Sequence, residues 1–384
     1  MERAELAAWL RLTLTPGVGN AAVRKLLAAF ALPQVVLEQS STALTQIITR
    51  TQRAALREEP PELAALLERS WAWLQEGGQG AAQRQIVVLG DAQYPASLLD
   101  IDDPPLLLYL SGAGHLENTV RHSIAVVGSR NPTPQGSSNA RQFSKALALA
   151  GLTVVSGLAS GVDGAAHEGA LEALEPGSQR SVTVAVVGTG LDRVYPKRHL
   201  ALAHRIAQNG LLLSEYPLGT PPLVANFPRR NRLIAGLAQG TLVIEAALKS
   251  GSLITARLSA EQGKDVFAIP GSIHSPLSRG CHALIKQGAK LVESAHDILE
   301  EFQLGQAASA VNAVTGEAAQ QANAKPAASD LTLLQFLGFD PVGLDALQAR
   351  CGLDTASLQA QLMALELDGL VSRLPGGLFQ RFKP

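Results

Sequence analysis

Aromatic residues make up only 4% of this 384-residue chain, against 46% hydrophobic residues in all. An interior built so largely on aliphatic side chains suits a packed α/β core, and the length suits two or three domains. Cysteine is nearly missing: Cys281 and Cys351 lie far apart and form no C-x-x-C pair. That removes a zinc-finger framework and a disulfide scaffold, and it fits a reducing cytoplasm. Long apolar runs are missing too, none approaching the roughly eighteen residues of a membrane span. The opening stretch "MERAELAAWLRLTLTPGVGN" carries charge ahead of any apolar run and has no signal-peptide core. A cytoplasmic protein without a membrane partner is the expectation. Excess charge of either sign is also absent, the net being −1, so any anion-binding surface must be local.

Several catalytic motifs are missing as well. No G-x-x-x-x-G-K-[ST] occurs; "EQGKD" lacks the first glycine and the hydroxyl residue, which disfavours an ATPase. "VVGTGLDRV" has G-x-G without a third glycine, so the dinucleotide fingerprint is incomplete even though Glu215 follows at a ribose-contacting distance in sequence. There is no G-x-S-x-G elbow, and "HEGAL" from His167 is not H-E-x-x-H. Asp163 and His167 fall four residues apart in "SGVDGAAHEGA". They either assist a proton transfer or make a structural hydrogen bond at a helix start. No metal, cofactor or enzymatic activity is expected.

What is present divides the chain. Residues 1–80 read as helical, with "AAVRKLLAAF" and "PELAALLERSWAWLQ" in amphipathic register. Between the first helices, "LTPGVGNAAVRKLL" resembles a helix-hairpin-helix turn, which either offers amides to a phosphate or simply joins two packed helices. Trp71 and Trp73 are able to stack on bases or to pack against the next domain. From 85 to 303, short β-branched runs alternate with helical segments: "IVVLG", "SIAVVGSR", "LTVVSG", "SVTVAVVGTG", "LLLSEY", "TLVIEA" and "DVFAIPGS". Runs apolar throughout are what burial on both faces of a parallel sheet requires, so this is a doubly wound, Rossmann-like domain. Residues 304–330 are rich in Ala, Gln and Asn and read as a flexible linker. Residues 331–384 read as three helices and a hairpin around "LPGGL", a winged helix.

The chemistry gathers at the carboxyl ends of the strands, where open parallel sheets bind ligands. These ends carry Gly128-Ser129-Arg130, Ser156-Gly157, Gly188-Thr189-Gly190, Ser214-Glu215, Glu245 and Pro270-Gly271-Ser272. Small residues there let a ligand approach the backbone and leave amides at the following helix N-termini. Turns of this kind are common; the cations beside them point to an anion. "FPRRNR", Phe227–Arg232, opens a helix near one strand, and "KSGSLITA" places Lys249 and Gly251 ahead of Ser252, a candidate N-cap. Several cations in series suit successive phosphates, and Phe227 at the rim suits stacking on a base. Single-stranded nucleic acid held by its backbone fits best.

The motifs "VVGSRNPTPQG", "SGLASGVDGAAHEGAL", "VVGTGLDRVYPKRH", "SEYPLGTPPLVANFPRRNRLIAGLA", "LVIEAALKSGSLITARLSAEQGKDVFAIPG" and "SRGCHALIKQGAKLV" follow one another as in the DprA/Smf family, the DNA-processing proteins of natural transformation. The resemblance covers roughly residues 85–303. It implies an extended Rossmann domain that binds single-stranded DNA, an N-terminal SAM-like helical domain and a C-terminal winged helix. It also implies a homodimer that protects incoming DNA and loads RecA onto it, with single-strand-binding protein or other competence proteins as further partners. On the matching motifs, Gly128, Ser129, Arg130, Phe227, Arg230, Asn231, Arg232, Lys249, Gly251 and Ser252 would contact the DNA, with Arg229 at a more variable position. The third helix of the tail, "DTASLQAQLMALELDGL", holds Asp354, Glu366 and Asp368 and no Lys or Arg. A duplex-reading helix is basic, so a protein-contact or auxiliary role is expected instead. A rival reading takes "GLAQGTLVIEA" as a faint likeness to nucleoside monophosphate phosphoribohydrolases, with Glu245 acting on the sugar.

Overall fold

The computed structural model describes residues 1–76, 82–175, 178, 180–304, 328–338, 340–374 and 376–381. The expected linker at 304–330 lies almost wholly outside them; a helix beginning at Ala328 takes its last three residues.

Six helices come first: α1 (Arg3–Leu14), α2 (Asn20–Phe30), α3 (Pro33–Glu38), α4 (Ser41–Thr45), α5 (Arg50–Arg57) and α6 (Leu63–Glu76). A nine-stranded sheet follows, made of β1 (Gln83–Val88), β2 (Leu107–Gly112), β3 (Ser123–Val127), β4 (Thr153–Ser156), β5 (Thr183–Val186), β6 (Leu211–Ser214), β7 (Gly240–Val243), β8 (Asp265–Ala268) and β9 (Lys290–Leu291). Its spatial order is β1-β2-β6-β5-β4-β3-β7-β8-β9. The strands from β6 across to β9 are parallel. At the near edge, β2 runs antiparallel to both β1 and β6. "IVVLG", expected as one more parallel strand, therefore forms an antiparallel edge. The sequence reading passed over β2 and the two-residue β9.

Alternation within each strand explains why the runs are apolar throughout. Ile124, Val126, Val154 and Leu242 face one core, lined by α8 (Pro134–Leu149), α9 (Val162–Leu171) and α10 (Leu200–Asn209). Ala125, Val127, Val155 and Val243 face the other, lined by α7 (Leu116–Val120), α11 (Asn226–Leu237), α12 (Ser252–Glu261) and α13 (Arg279–Lys286). Two covered faces with parallel strands are the doubly wound arrangement.

The helical N-terminal region shares its core with the sheet edge. Leu6, Trp9 and Leu10 of α1 and Leu63, Leu66 and Trp73 of α6 are buried with Ile86, Val88 and Tyr109. Trp73 meets Tyr109 edge-on with centroids 5.8 Å apart, and Ser70 Oγ and Tyr109 Oη lie 3.0 Å apart. Trp73 thus serves packing rather than base stacking. In the α1–α2 turn, Val18 is buried and the Gly17 carbonyl accepts from Gln52. Asn20 and Arg24 of α2 both bond Asp103. The turn seats α2 against the loop before β2.

The C-terminal unit comprises α15 (Ala328–Leu337), following α14 (Ala295–Glu301), then α16 (Leu344–Cys351) and α17 (Thr355–Leu367), with β10 (Val342–Gly343), β11 (Val371–Leu374) and β12 (Leu378–Arg381) in the order β10-β12-β11. Leu333, Leu347, Leu358, Leu362 and Phe379 give it a core of its own. It is a winged helix, and Asp354 caps the third helix through Ala356 N and Ser357 N, both at 3.0 Å.

Candidate nucleic-acid interface

Winding reverses at β3: the chain leaves it for β4 on one side, while β7 lies on the other. The connections beyond these two strands diverge and open a crevice. A cavity of about 480 Å³ lies there. The loop after β3 supplies Gly128, Ser129 and Arg130, α11 supplies Phe227, Arg230 and Asn231, and the turn after β7 supplies Lys249, Gly251 and Ser252. Nine of the ten residues expected from sequence thus meet in one place, from three segments spread over more than a hundred positions. Arg232 is the exception.

Helical geometry separates the arginines of "FPRRNR". Residues three or four apart share a face of a helix, whereas neighbours differ by about 100°. Phe227, Arg230, Asn231 and Ile234 therefore form one stripe toward the cavity. Arg229 and Arg232 form another, and both turn to Asp103, at 3.4 and 3.8 Å. Arg232 also donates to both carboxylate oxygens of Glu215 at 2.7 and 2.5 Å and to the Asp103 carbonyl at 3.1 Å. The Arg232–Glu215 pair is nearly sealed, with side-chain exposures of 11% and 7%. Arg232, expected among the contacts, is thus paired with Glu215 and stands apart from the other nine residues.

Arg230 is buried at 4% exposure without such a partner. Its Nη1 donates to the Val186 carbonyl at 2.7 Å, and its Nε has no hydrogen-bond partner among the described residues. Gly157 makes room for it, since a Cβ there would stand 1.8 Å from Nη1. Burial lowers the pKa of this guanidinium, with nearby Asp163 acting the other way. Asp163 accepts from Ala159 N at 3.2 Å, and burial pushes its own pKa up. A buried guanidinium neutralised this incompletely gains from an arriving anion.

The rest of the rim is softer. Lys249 and Arg130 are exposed. Phe227 is half-buried, with Arg130 Cζ 5.8 Å from its centroid and Tyr195 at 5.5 Å, tilted by 37°. Ser252 is the first helical residue of α12 rather than its cap; Gly251 takes the cap position, and Ser252 Oγ lies 2.6 Å from Ser250 Oγ. Asn231 donates to the Gly251 carbonyl at 3.1 Å and ties α11 to this turn. Tyr195 touches this wall through Phe227 without lining the cavity, and it was not singled out from the sequence. The signal was there: "YPKR" at 195–198 repeats the aromatic–Pro–cation–cation order of "FPRR" at 227–230.

The groups considered for chemistry are committed elsewhere. Glu245 accepts from Thr133 N at 2.9 Å and Thr133 Oγ1 at 2.5 Å, at the start of α8. These two bonds tie Glu245 to the N-cap of α8 rather than leaving it toward the crevice. His167 and Asp163 do not pair: His167 Nδ1 lies 2.7 Å from Thr183 Oγ1, and burial lowers its pKa to about 3.

Comparison with known proteins follows the same geometry. Residues 85–303 match the profile of DNA recombination-mediator protein A, and residues 317–377 match that of the DprA winged helix domain. The chain belongs to the DNA recombination-mediator protein A family. It is similar to Protein Smf of Escherichia coli, at 40% identity over 317 residues, 81% of this chain and 80% of that one. DNA processing protein A (DprA) of Streptococcus pneumoniae has a solved structure similar to 78% of this chain and 98% of its own, with a TM-score of 0.63 and 37% identity. That of Helicobacter pylori, solved for its single-stranded DNA binding mode, is similar to 57% of this chain and 96% of its own, with a TM-score of 0.50 and 32% identity. The DprA fold of this chain is thus a large, mainly parallel sheet preceded by helices and followed by a winged helix.

Proposed function

We propose that this protein binds single-stranded DNA in the crevice between β3 and β7, protects it, and hands it to RecA. The observation that carries this reading is Arg230: a buried cation with an unpartnered Nε, in a wall that also carries Arg130 and Lys249 at the rim. Three cations and several small residues suit a phosphate chain approaching the backbone closely. The nine residues named above are the proposed contacts. The Helicobacter pylori relative, described as binding single-stranded DNA, supports the choice of ligand. The protein acts as a binder rather than an enzyme, because Glu245, Asp163 and His167 are held in structural hydrogen bonds.

Delivery to RecA, assembly as a homodimer and work in the cytoplasm are the family's features, proposed here on membership. A dimer with two strand sites holds DNA open and raises the local concentration of a nucleating RecA. The winged helix, whose third helix carries no cation, has an auxiliary or protein-contact role. The test is a time course of RecA ATPase on single strands coated with single-strand-binding protein. The lag should shorten when this protein is added, with unchanged steady turnover per bound RecA, and Arg130→Glu should lengthen it again. An unchanged lag, with DNA binding confirmed, would refute loading and leave a protective binder.

A further inference from the structure

The crevice does not end at Phe227. A second cavity of about 340 Å³ adjoins the first toward the end of β5. It shares Arg130, Phe227 and Arg230 with the first and adds Thr189, Tyr195 and Arg198. Each addition has a property that calls for a ligand. Tyr195 is 49% exposed although its ring leans on Phe227. An exposed aromatic held in place by a second ring is a platform already ordered for stacking. Thr189 is 1% exposed, yet its hydroxyl has no hydrogen-bond partner among the described residues. Arg198 is exposed and makes no ion pair among the described residues.

We propose that this second cavity is a nucleotide subsite continuous with the first, in which Tyr195 stacks on a base and Arg198 meets the adjoining phosphate. The proposal rests on the single-strand reading of the first cavity and gives that strand a direction. It passes from the Lys249 turn across Phe227 to Tyr195, along the carboxyl edge of the sheet from β7 toward β5. The shared wall favours one continuous ligand over two separate small molecules, since Arg130 and Arg230 border both spaces. In each platform a ring is followed three residues on by an arginine that borders the second cavity, Arg230 after Phe227 and Arg198 after Tyr195.

Fluorescence anisotropy with labelled oligothymidylates of increasing length, on the full chain, tests this directly. Wild type should gain affinity when the strand becomes long enough to reach the second cavity. Tyr195→Ala should abolish that gain, a loss of about ten-fold or more for a stacked base, while the shortest strands bind it as they bind wild type. Tyr195→Trp should keep the gain. Arg198→Ala should reduce the slope of log affinity against log salt by about 0.7 for long strands only. If Tyr195→Ala and Arg198→Ala match wild type at every length while Lys249→Glu weakens all of them, the subsite is refuted and the first cavity stands. If Lys249→Glu also has no effect, the first reading fails and the subsite with it.

Discussion

Replacing Arg232 with alanine leaves the Glu215 carboxylate, 7% exposed, without its partner. Removing one member of a buried pair costs about 3–5 kcal/mol, so Arg232→Ala should lower the urea midpoint steeply. Arg130→Ala, at an exposed position, should change stability by less than about 0.5 kcal/mol yet weaken strand binding. Equal effects of the two variants on both measurements would contradict the division between them. The sequence shows three arginines in six residues and suggests one purpose for all. Only the helical phase, applied to the spatial positions of Asp103 and Glu215, separates them. Those acids come from different loops, and no spacing in the chain announces that they converge on Arg232. Arg230, Phe227 and Asn231 were named from the family motif along with Arg232, and they alone share the stripe that turns toward the strand ends.

At the scale of elements, α11 lines the crevice, and two side chains bond the carbonyls at its far end, Ser123 Oγ donating to Leu237 at 3.0 Å. Lys264, just before β8, donates to the Ala235 and Gly236 carbonyls at 2.7 and 2.8 Å. A cation at the carbonyl end of a helix is favourable, but burial lowers the Lys264 pKa from 10.5 to about 8. Between those two values the unfolded chain holds more protons than the folded one, so this group's contribution to stability rises with pH across the window. The urea midpoint of wild type should therefore climb relative to Lys264→Met between about pH 8 and 10.5. Parallel curves for the two proteins would contradict a half-buried lysine with a lowered pKa. The parallel strands were legible because burial on both faces leaves continuous apolar runs. β2 was not, although "LLYLSG" is as apolar as its neighbours; it follows Pro104-Pro105 and runs antiparallel, outside the alternation of strands and helices that organised the reading. β9 has two residues, too few to leave a pattern.

At the scale of the whole molecule, the two ends relate differently to the sheet. The N-terminal helices share a core with β1 and β2, so composition alone suggested a separate unit where the packing is continuous. The winged helix has its own core, and none of its described residues lines the crevice. Strand affinity should then reside in the sheet and survive loss of the tail. The most direct measurement is a salt titration of affinity for a single strand and its duplex, on the full chain and on a chain ending at Leu304. Without ATP or metal, both chains should prefer the single strand, with affinity falling steeply as salt rises and a shallower fall for Lys249→Glu. Equal affinity for duplex and single strand, or a slope unmoved by Lys249→Glu, would contradict the crevice between β3 and β7 as the place where the phosphate chain is held.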